Sequence, residues 1–447
     1  MKDTLATIFV LLLVGNAAVA DTTAFVNVNI IPMTTDAVVP AQTVVISDQL
    51  IVAIGDVNET PVPDEAFVID GTDRYLVPGL AEMHGHVPGE SSAGLERVLR
   101  LYVANGVTTV RGMLGQPSHL TMRARIASGD LLGPRLITSG PSLNGRSVAG
   151  PDAGAAMVRE QQAAGYDFLK IHPGLTREEF DAIAATANEI GIPFAGHVPE
   201  DVGVPRALAA GIATIDHLDG YMQTLLKPNE DQSGGLSGFF GVFLADMADE
   251  AKIGAIARAT ADAGVWNVPT ESLFEHVTAP DVTADSLASR PEMNYMPAST
   301  VAQWHDAKME LLGDANYVPS TAARAIEIRQ QLILTLHQSG AGLLLGSDSP
   351  QIFNVPGFAL HHELGFMVAA GLTPLEALRT GTINAARFLE QDDQFGAIRA
   401  GLEADLVLLN SNPLIDIDNS RRIHGVMVRG RWLSRADLDE LLASLER

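Results

Sequence analysis

Two histidines, His84 and His86, flank a single glycine in the stretch AEMHGHVPG, directly after the apolar run YLVPGL. Side chains two residues apart point to the same face of a β-strand. Both imidazoles would therefore reach one ion from the same side, and imidazole nitrogens are good ligands for zinc and similar metals. This spacing is weak evidence on its own, because a single histidine at a strand end is more often a hydrogen-bonded core residue.

Four further polar residues each close an otherwise apolar, strand-like segment: Lys170 in YDFLK, His197 in IPFAGH, His217 in IATIDH and Asp348 in LLLGSDS. A polar side chain in such a position is unfavourable unless it has a partner. A lysine carboxylated by CO2 becomes an anionic carbamate that can bridge two ions; the alternative for Lys170 is pairing with a carboxylate. Asp348 can bind an ion and also take a proton from a water. Together, these residues favour a metal site over a set of unrelated structural roles.

The segments that carry these residues belong to an alternation of strands and helices between about residues 76 and 390. Eight strands alternating with helices over this length predict a (β/α)8 TIM barrel, an α/β fold in which the carboxyl ends of the strands carry the chemistry. The connections 219–260 and 271–335 are long, as expected of segments that build the mouth of an active site. The strand-like segments read LVPGLAEMHGH, VTTVRGM, PRLITSG, YDFLKIH, IPFAGHV, IATIDHL, VWNVPTES and GLLLGSDS. Most are followed by a stretch that predicts a helix, such as TREEFDAIAATANEIG and TPLEALRTGTINAARFLE.

Both ends of the chain have a different pattern. Residues 21–75 and 391–447 contain short β-branched segments such as QTVVISDQLIVAIG and ADLVLLN, separated by aspartate, glycine and proline. This pattern is typical of antiparallel sheet. We expect the two ends to form one small β-sandwich domain beside a barrel domain of residues 76–390.

The first twenty residues predict export. Lys2 precedes the apolar run Leu5–Val14, and the small residues AVA follow at 18–20. This is the pattern of a cleavable signal peptide, residues 1–20, with cleavage before Asp21. We therefore expect a secreted or periplasmic protein; the alternative is a buried N-terminal helix. The chain has no cysteine, so an exported form has no disulfide bonds to stabilise it.

The net charge of −25 narrows the class of partner. Nucleic acids and anionic membranes both repel an acidic surface, so neither is expected to bind. No later stretch predicts a membrane span. We expect a small-molecule substrate and a homo-oligomer.

With these residues in place, the chain resembles the amidohydrolase superfamily. The matching pattern is HGH on the first strand, lysine on the fourth, histidine on the fifth and sixth, and aspartate within GSD on the eighth. The flanking stretches VPGLAEMHGHV, GLTPLEALRTGTINAARFL and GAIRAGLEADLVLLNSNP also resemble that family. Within it, the chain is similar to the exported prolidase-like and imidazolonepropionase-like enzymes, and Lys170 favours the two-metal, prolidase-like side.

The resemblance implies a ligand set and a mechanism. Two divalent ions, expected to be zinc, would lower the pKa of a water between them. Asp348 would accept the proton of that water during attack on an amide carbonyl and return it to the leaving nitrogen. The implied ligands are His84, His86 and Asp348 for one ion, His197 and His217 for the other, and carboxylated Lys170 as the bridge.

The chain departs from the family in the region after the third strand. Many relatives carry a histidine in a glycine-rich stretch there, whereas residues 139–154 read SGPSLNGRSVAGPDAG. Arg146 is the expected replacement for gripping an anionic group.

Three further segments bear on the substrate. Tyr221, four residues after His217, could polarise the scissile carbonyl or simply pack in a loop. His172 shares a face with Lys170, so we expect it at the mouth of the site. We expect His362 on a helix surface. The stretch GGLSGFFGVF, residues 234–243, would be an apolar lid or an oligomer contact.

These observations predict a binuclear metal-dependent amidohydrolase that cleaves an amide bond in dipeptides or N-acyl amino acids with an apolar part. Two alternatives stay open at this point. One is a hydrolase of cyclic amides or lactones, and the other is a solute-binding barrel without catalysis. The presence of Asp348 and all five other ligand positions argues against the second alternative.

Replacing the expected proton acceptor tests this prediction. Asp348→Asn is nearly isosteric and keeps an oxygen ligand, so the fold and much of the metal should be retained. The expected fall in kcat is about 10²-fold or more, the scale of lost general acid–base catalysis. Steady-state kinetics measure it, and near-full activity would mean that Asp348 is only a structural residue.

Overall fold

The computed structural model describes residues 22–90, 92, 94–228 and 237–446. The expected signal peptide, residues 1–20, lies outside the described residues. Among the helices of the described part, none combines the length and the apolarity needed to cross a bilayer.

The described part of the chain alternates short strands with helices in its middle and is rich in strands at both ends. In chain order, the strands are β1 (Thr22–Ile30), β2 (Val39–Ser47), β3 (Leu50–Asp56), β4 (Phe67–Asp70), β5 (Tyr75–Pro78), β6 (Leu80–Gly85), β7 (Val107–Gly112), β8 (Arg135–Thr138), β9 (Leu169–Ile171), β10 (Phe194–Gly196), β11 (Thr214–Asp216), β12 (Trp266–Val268), β13 (Leu406–Leu409), β14 (Ile423–Val428) and β15 (Arg431–Ser434).

Most helices lie between β6 and β13. They are α1 (Leu95–Ala104), α2 (Ser118–Ala127), α3 (Pro151–Ala164), α4 (Arg177–Ile190), α5 (Gly203–Ala210), α6 (Tyr221–Thr224), α7 (Ile253–Asp262), α8 (Glu271–Thr278), α9 (Ala284–Ala288), α10 (Ala298–Leu312), α11 (Pro319–Gln338), α12 (Phe358–Ala369), α13 (Pro374–Thr380), α14 (Ile383–Phe388) and, after β15, α15 (Arg435–Ala443). Short 3₁₀ segments span Phe239–Met247, Glu250–Lys252, Pro291–Tyr295 and Ile417–Arg421.

Helix α4 shows how local sequence sets these elements. Thr176 caps its N-terminus in a capping box with Glu179, which satisfies backbone N–H groups of the first turn. Its apolar residues Phe180, Ile183, Ala184 and Ala187 recur at helical spacing and are buried. Gly191 ends it in the left-handed conformation.

The stretch expected as one helix near the end of the barrel is divided into α13 and α14. The break lies at Gly381, whose carbonyl accepts a hydrogen bond of 2.7 Å from the Ala81 N–H of β6. A Cβ at Gly381 would lie 2.5 Å from Leu345 Cδ2, so the backbone packs directly on the barrel interior. The helix opens because its backbone is needed to pair with the first barrel strand.

The middle strands form two parallel sheets, β6-β7-β8 and β9-β10-β11-β12. A parallel bridge between Ser139 and Phe168 links the two sheets. Segment 343–348, the expected eighth strand, is not a regular strand, although it forms a parallel bridge to β12. On its other side, the Asp348 N–H donates to the His84 carbonyl of β6 at 2.8 Å. Consecutive backbone bonds therefore bring the ends of β6, β9, β10 and β11 and residue 348 to one side.

Strands from both chain ends form one eight-stranded mixed sheet in the order β15-β14-β13-β5-β1-β2-β3, with β4 also paired to β1. The rings of Phe25 in β1 and Trp432 in β15 lie 5.3 Å apart although three strands separate them. The sheet therefore curls over its own apolar face. The expected division into a two-layered sandwich stays a prediction.

A buried ion pair joins this sheet to the barrel region. Arg135 of β8 donates to Glu403 at 2.7 Å and to Asp405 at 3.3 Å. Asp405 is 4% exposed and also accepts the Arg429 N–H at 2.7 Å. Burial raises the pKa of Asp405, and Arg135 opposes that shift. The charge of this carboxylate is thus compensated only by groups that hold the sheet on the barrel.

Removing this carboxylate should loosen the connection. Asp405→Ala leaves Arg135 and the Arg429 N–H without their buried partner, so the free energy of unfolding should fall by about 3 kcal/mol. Chemical denaturation measures the change. The exposed Asp418→Ala is the control and should change stability by no more than about 0.5 kcal/mol. Equal effects of the two substitutions would contradict the assignment.

Candidate metal centre

Three of the expected ligands, His84, His86 and Asp348, converge on one another. Ligand atoms of His84, His86 and Asp348 all lie within 4.8 Å of one another. Asp348 Oδ1 is 2.5 Å from Nε2 of His86 and 3.5 Å from Nε2 of His84. The pairing of β6 with β7 shifts register between Glu82 and Gly85, so the strand is irregular where it presents the histidines. The group is nevertheless compact enough for one cation.

Two more of the expected histidines continue this group as a row of rings. The His217 ring centroid lies 4.4 Å from that of His84 and 4.7 Å from that of His197. His217 Nδ1 is 3.8 Å from Asp348 Oδ2. His172 stacks on His197 at 5.0 Å, on the side away from His84. The structure thus brings five histidines from β6 and from the ends of β9, β10 and β11 to one place.

Lys170 lies fully buried beneath these rings. Its Nζ has no hydrogen-bond partner in the described part of the chain. Burial lowers the pKa of Lys170 to about 8, although Asp216 and Asp348 oppose the shift. An ammonium held this way has lost its hydration without gaining a bond. Among the described residues, the Nζ of Lys170 therefore has carboxylates nearby but no hydrogen bond.

The neighbouring strand leaves room for that lysine. A Cβ at Gly196 would lie 2.9 Å from Lys170 Cδ and 2.5 Å from the Ile171 carbonyl oxygen. Gly196 also has a φ of +128°, which L side chains rarely adopt. Glycine is thus required one residue before His197, where the lysine stem passes.

Burial disfavours the charged form of three of these histidines, His84, His172 and His217. It lowers the pKa of both His84 and His217 well below the ordinary value, and neighbouring cationic groups add to the shift. Burial, followed by Lys170, lowers the pKa of His172 to about 2. A neutral imidazole has a free lone pair, so these histidines are ready to bind a metal without first losing a proton.

Sequence reasoning missed the residues that orient these rings. Nδ1 of His197 lies 3.0 Å from Asp219 Oδ2, and Nδ1 of His217 lies 2.8 Å from Thr270 Oγ1. With the Asp219 carboxylate as acceptor, Nδ1 of His197 carries the proton and Nε2 is left for a ligand bond. Acidic residues flank His217 in IDHLDG, which is the signal that could have indicated Asp219.

A buried ion pair lies behind His84. Arg111, 1% exposed, donates to Asp216 Oδ1 at 3.2 Å and to the Met83 carbonyl at 2.6 Å. Asp216 Oδ2 lies 2.9 Å from Nδ1 of His84, but this contact lacks the angle of a hydrogen bond. Burial raises the pKa of Asp216, yet Arg111 and Lys170 outweigh it and the pKa is lowered. An ionised carboxylate therefore lies beside the first histidine of the group.

Glu82 ties together the two backbone segments that supply the ligand group. Its Oε1 accepts the N–H of His84 at 3.0 Å and of Ser347 at 2.8 Å, and its Oε2 accepts the Ser347 hydroxyl. Burial raises the pKa of Glu82 to about 8. This side chain fixes β6 against segment 343–348, and hence the histidine pair against Asp348.

Two of the expected substrate-binding residues, His172 and Arg146, lie together at an open groove. His172 and Arg146 line one open groove together with Ser142, Asn144 and Gly145. Arg146 is exposed, and its backbone N–H donates to Asn144 Oδ1 at 2.8 Å. The structure thus places a cationic side chain beside the histidine that stacks on His197.

His362 is not on an open helix surface as expected. In α12 it is largely buried: its Nε2 lies 3.0 Å from Glu292 Oε1, and Nδ1 lies 3.2 Å from Arg421 Nη2. These partners hold it in a polar cluster outside the group of site residues.

Of the two roles left open for Tyr221, the structure favours packing over contact with a scissile carbonyl. It begins α6 and is 1% exposed, and its hydroxyl bonds to Thr260 Oγ1 and to Asn267 Oδ1, both at 2.9 Å. The short helix turns the ring between barrel and outer helices, away from the metal ligands. Tyr221 therefore does not face a substrate carbonyl.

Part of the expected apolar lid covers the row of histidines. Residues 234–236 lie outside the described part of the chain. Phe240 stacks on His217 at 4.7 Å and on His197 at 6.1 Å, with interplanar angles of 16° and 21°. An aromatic ring thus shields one face of the candidate centre from water.

The position of Tyr221 gives a direct test. Tyr221→Phe removes a buried hydroxyl with two partners, so the free energy of unfolding should fall by about 1–2 kcal/mol. Both kcat and KM should stay at the parent values, because the hydroxyl does not face the site. Denaturation curves and steady-state kinetics measure the two effects. A large loss of kcat at unchanged stability would return Tyr221 to the site.

Comparison with known proteins agrees with this geometry. Residues 75–433 match the Amidohydrolase family. An ochratoxinase from Aspergillus niger is 25% identical over 407 residues, which cover 83% of this chain and 78% of that enzyme. The family match spans the strands that carry every expected ligand.

Two solved structures share the overall architecture. A bottromycin amidohydrolase has a TM-score of 0.71 and 24% identity, covering 95% of this chain and 89% of that one. A Xaa-Pro dipeptidase with bound methionine in the active site has a TM-score of 0.65 and 21% identity, covering 93% of this chain and 100% of that one. Both likenesses indicate the TIM-barrel-like α/β fold.

Amidohydrolases are generally metal-dependent, and the compact group of His84, His86 and Asp348 suits an ion. On the extent of the family match, the chain belongs to the amidohydrolase family and is a hydrolytic enzyme that acts on amide bonds.

Proposed function

We propose that the chain is a binuclear metal-dependent amidohydrolase that cleaves the amide bond of dipeptides or N-acyl amino acids with an apolar part. One observation carries the proposal: Nζ of Lys170 is fully buried and lacks a hydrogen-bond partner in the described residues, beneath neutral histidines and Asp348. A carboxylated Lys170, formed with CO2, would satisfy this position by bridging two cations. A single-ion site would leave the buried ammonium unexplained.

The donor set suits two zinc ions. Neutral imidazole, carboxylate and carbamate oxygens are ligands that zinc accepts. When bound, two such ions would lower the pKa of a water and polarise the amide carbonyl. Grouped by ion, the ligands would be His84, His86 and Asp348 for the first, His197 and His217 for the second, and carboxylated Lys170 for both.

The chain supplies the proton transfer. Asp348 accepts the proton that water loses as it adds to the carbonyl carbon. The same carboxyl returns the proton to the leaving nitrogen as the C–N bond breaks, which yields a carboxylic acid and an amine. Asp348 Oδ1 lies 2.5 Å from Nε2 of His86, so this carboxyl lies beside the other proposed ligands of the first ion. Phe240 over the rings excludes bulk water from the reacting atoms.

The groove beside the centre supports a substrate with a carboxylate. Arg146 and His172 line it, and Arg146 offers planar N–H donors that match a carboxylate. Two structures of similar architecture are an amidohydrolase and a dipeptidase, which is consistent with amide substrates of this kind. Arg146 would thus replace the histidine that many relatives carry after the third strand.

We also propose the layout of the whole protein. Residues 76–390 would form a closed (β/α)8 barrel, with 21–75 and 391–447 as a small β-sandwich. Residues 1–20 would be removed on export to the periplasm or medium, and the mature chains would form a homo-oligomer. N-terminal sequencing of exported protein should begin at Asp21; retention of Lys2 would contradict cleavage.

The experiment that tests the proposed function has two parts. Elemental analysis of purified protein should find about two zinc-like divalent ions per chain. The loaded enzyme should then hydrolyse members of a panel of dipeptides and N-acyl amino acids in preference to cyclic amides and lactones. Preference for the cyclic compounds would overturn the substrate class. Metal without turnover on any compound would favour a solute-binding barrel.

Lys170 provides the sharpest variant. Lys170→Ala should lose the bridge, at least one ion and nearly all activity. Added bicarbonate or a short carboxylic acid should restore part of the activity by filling the gap. Lys170→Arg should not restore it, since guanidinium stays charged and cannot ligate. Metal analysis and kinetics measure both variants, and an alanine variant with two ions and parent kcat would contradict the bridging role.

A further inference from the structure

A second cavity adjoins the candidate centre at His197, which lines it. It has a volume of about 420 Å³ and lies between the chain after β10, the start of α6 and the segment that begins at Ser237. Its described walls carry the apolar side chains of Val198, Pro199, Pro205 and Phe240, together with polar side chains such as Gln223 and Thr224. A cavity of this size holds a substrate side chain.

Phe240 is held in this wall by an unusual backbone. Its φ of 48° and ψ of 38° place a bulky residue in the left-handed region, which is strained. The next residue, Gly241, also has positive φ, and a Cβ there would lie 2.7 Å from Met222 Cβ. Val242 and Leu244 then anchor the segment in the core. The strain is maintained by packing and keeps an aromatic face over His217, His197 and the cavity.

The charged side chains among the cavity's described lining residues are acidic. Glu200 and Asp219 line it, whereas none of its described lining residues is lysine or arginine. Pro173 lines both this cavity and the groove of Arg146, while His197 lines only the cavity and His172 only the groove. The two spaces therefore flank the stacked rings of His172 and His197 with opposite charge. A carboxylate is favoured at the groove and repelled at the cavity.

We infer that the cavity of Phe240 and Glu200 receives the substrate end remote from the carboxylate, and that it selects an apolar group that bears no negative charge and preferably a positive one. This inference rests on the proposed function for the identity of the scissile bond. Phe240 supplies the apolar contact and Glu200 the charge selection, so both determine specificity. Asp219 contributes less to selection, because it is engaged with His197.

Three substrates of equal length isolate the charge. They are N-acyl phenylalanines whose six-carbon acyl chains end in an ammonium, a methyl or a carboxylate group. The parent enzyme should prefer them in that order, with kcat/KM for the ammonium compound about tenfold above that of the carboxylate compound at low salt. Glu200→Lys should reverse the order between the charged pair. Asp201→Lys, an exposed neighbour outside the cavity, is the matched control and should keep the parent order.

Phe240→Ala tests the apolar wall. Loss of the ring over the histidines should lower kcat/KM for every substrate, and the loss for the methyl compound should exceed by about tenfold the loss for N-acetylphenylalanine, whose acyl group is too short for the cavity. Equal losses for both compounds would assign Phe240 to the centre as a whole and overturn its role in specificity. The same result for Glu200→Lys and Asp201→Lys would overturn the charge selection.

Binding measurements distinguish a failure of this inference from a failure of the proposed function. Calorimetry with metal-loaded Asp348→Asn measures affinity for the three compounds without turnover. A higher affinity for the ammonium compound than for the carboxylate compound, reversed in the Glu200→Lys background, supports the cavity assignment. This holds even if the parent enzyme hydrolyses none of the three compounds, a result that would overturn only the proposed function. Equal affinities in both backgrounds would overturn the cavity assignment while leaving hydrolysis intact.

Discussion

The burial of one lysine nitrogen constrains the rest of the candidate site. Lys170 reaches the barrel interior with no exposed surface, and its Nζ finds no hydrogen-bond partner among the described residues. Burial lowers the pKa of Lys170 to about 8, because an ammonium that has lost its hydration is less favourable than a solvated one. Neutral histidines surround it and offer lone pairs rather than charge. Such an arrangement becomes favourable once cations and an anionic lysine derivative are present together.

The surrounding fold positions the groups around Lys170 through several separate contacts. Parallel strands deliver ligands from their carboxyl ends, so residues far apart in sequence meet on one side of the sheets. Glu82 then fixes the histidine-bearing strand against the segment of Asp348. Gly196 leaves space for the lysine stem, and Asp219 sets the proton on His197. Phe240 closes one face of the histidine row. Each of these contacts restricts the position of a side chain that could otherwise move to accommodate the buried charge of Lys170.

The sequence indicated those parts of the site that follow from strand periodicity. A polar residue closing an apolar strand is visible in sequence, and in parallel strands all such ends meet. The convergence of His84, His86, His197, His217 and Asp348 could therefore be predicted. Helix α4 was equally accessible, because its cap and its apolar spacing are both local signals.

Other features depended on tertiary contacts that no local pattern encodes. Tyr221 follows a ligand by four residues, but the direction of its ring is set by Thr260 and Asn267 from later elements. The local sequence predicts His362 on the surface, but Glu292 and Arg421 pack beside it and bury it. The eighth strand loses regular pairing, and one expected helix divides where Gly381 must bond to β6. In each case a partner distant in sequence overrode the local preference.

The most direct test of this account is the electron density at Nζ of Lys170 in a crystal of the metal-loaded protein. The account predicts density for a carboxylated amine that contacts two metal ions, with the second ion held by His197 and His217. A bare amine paired with a nearby carboxylate, beyond ligand distance from any metal, would contradict the two-metal reading and move the chain toward the single-metal, imidazolonepropionase-like enzymes.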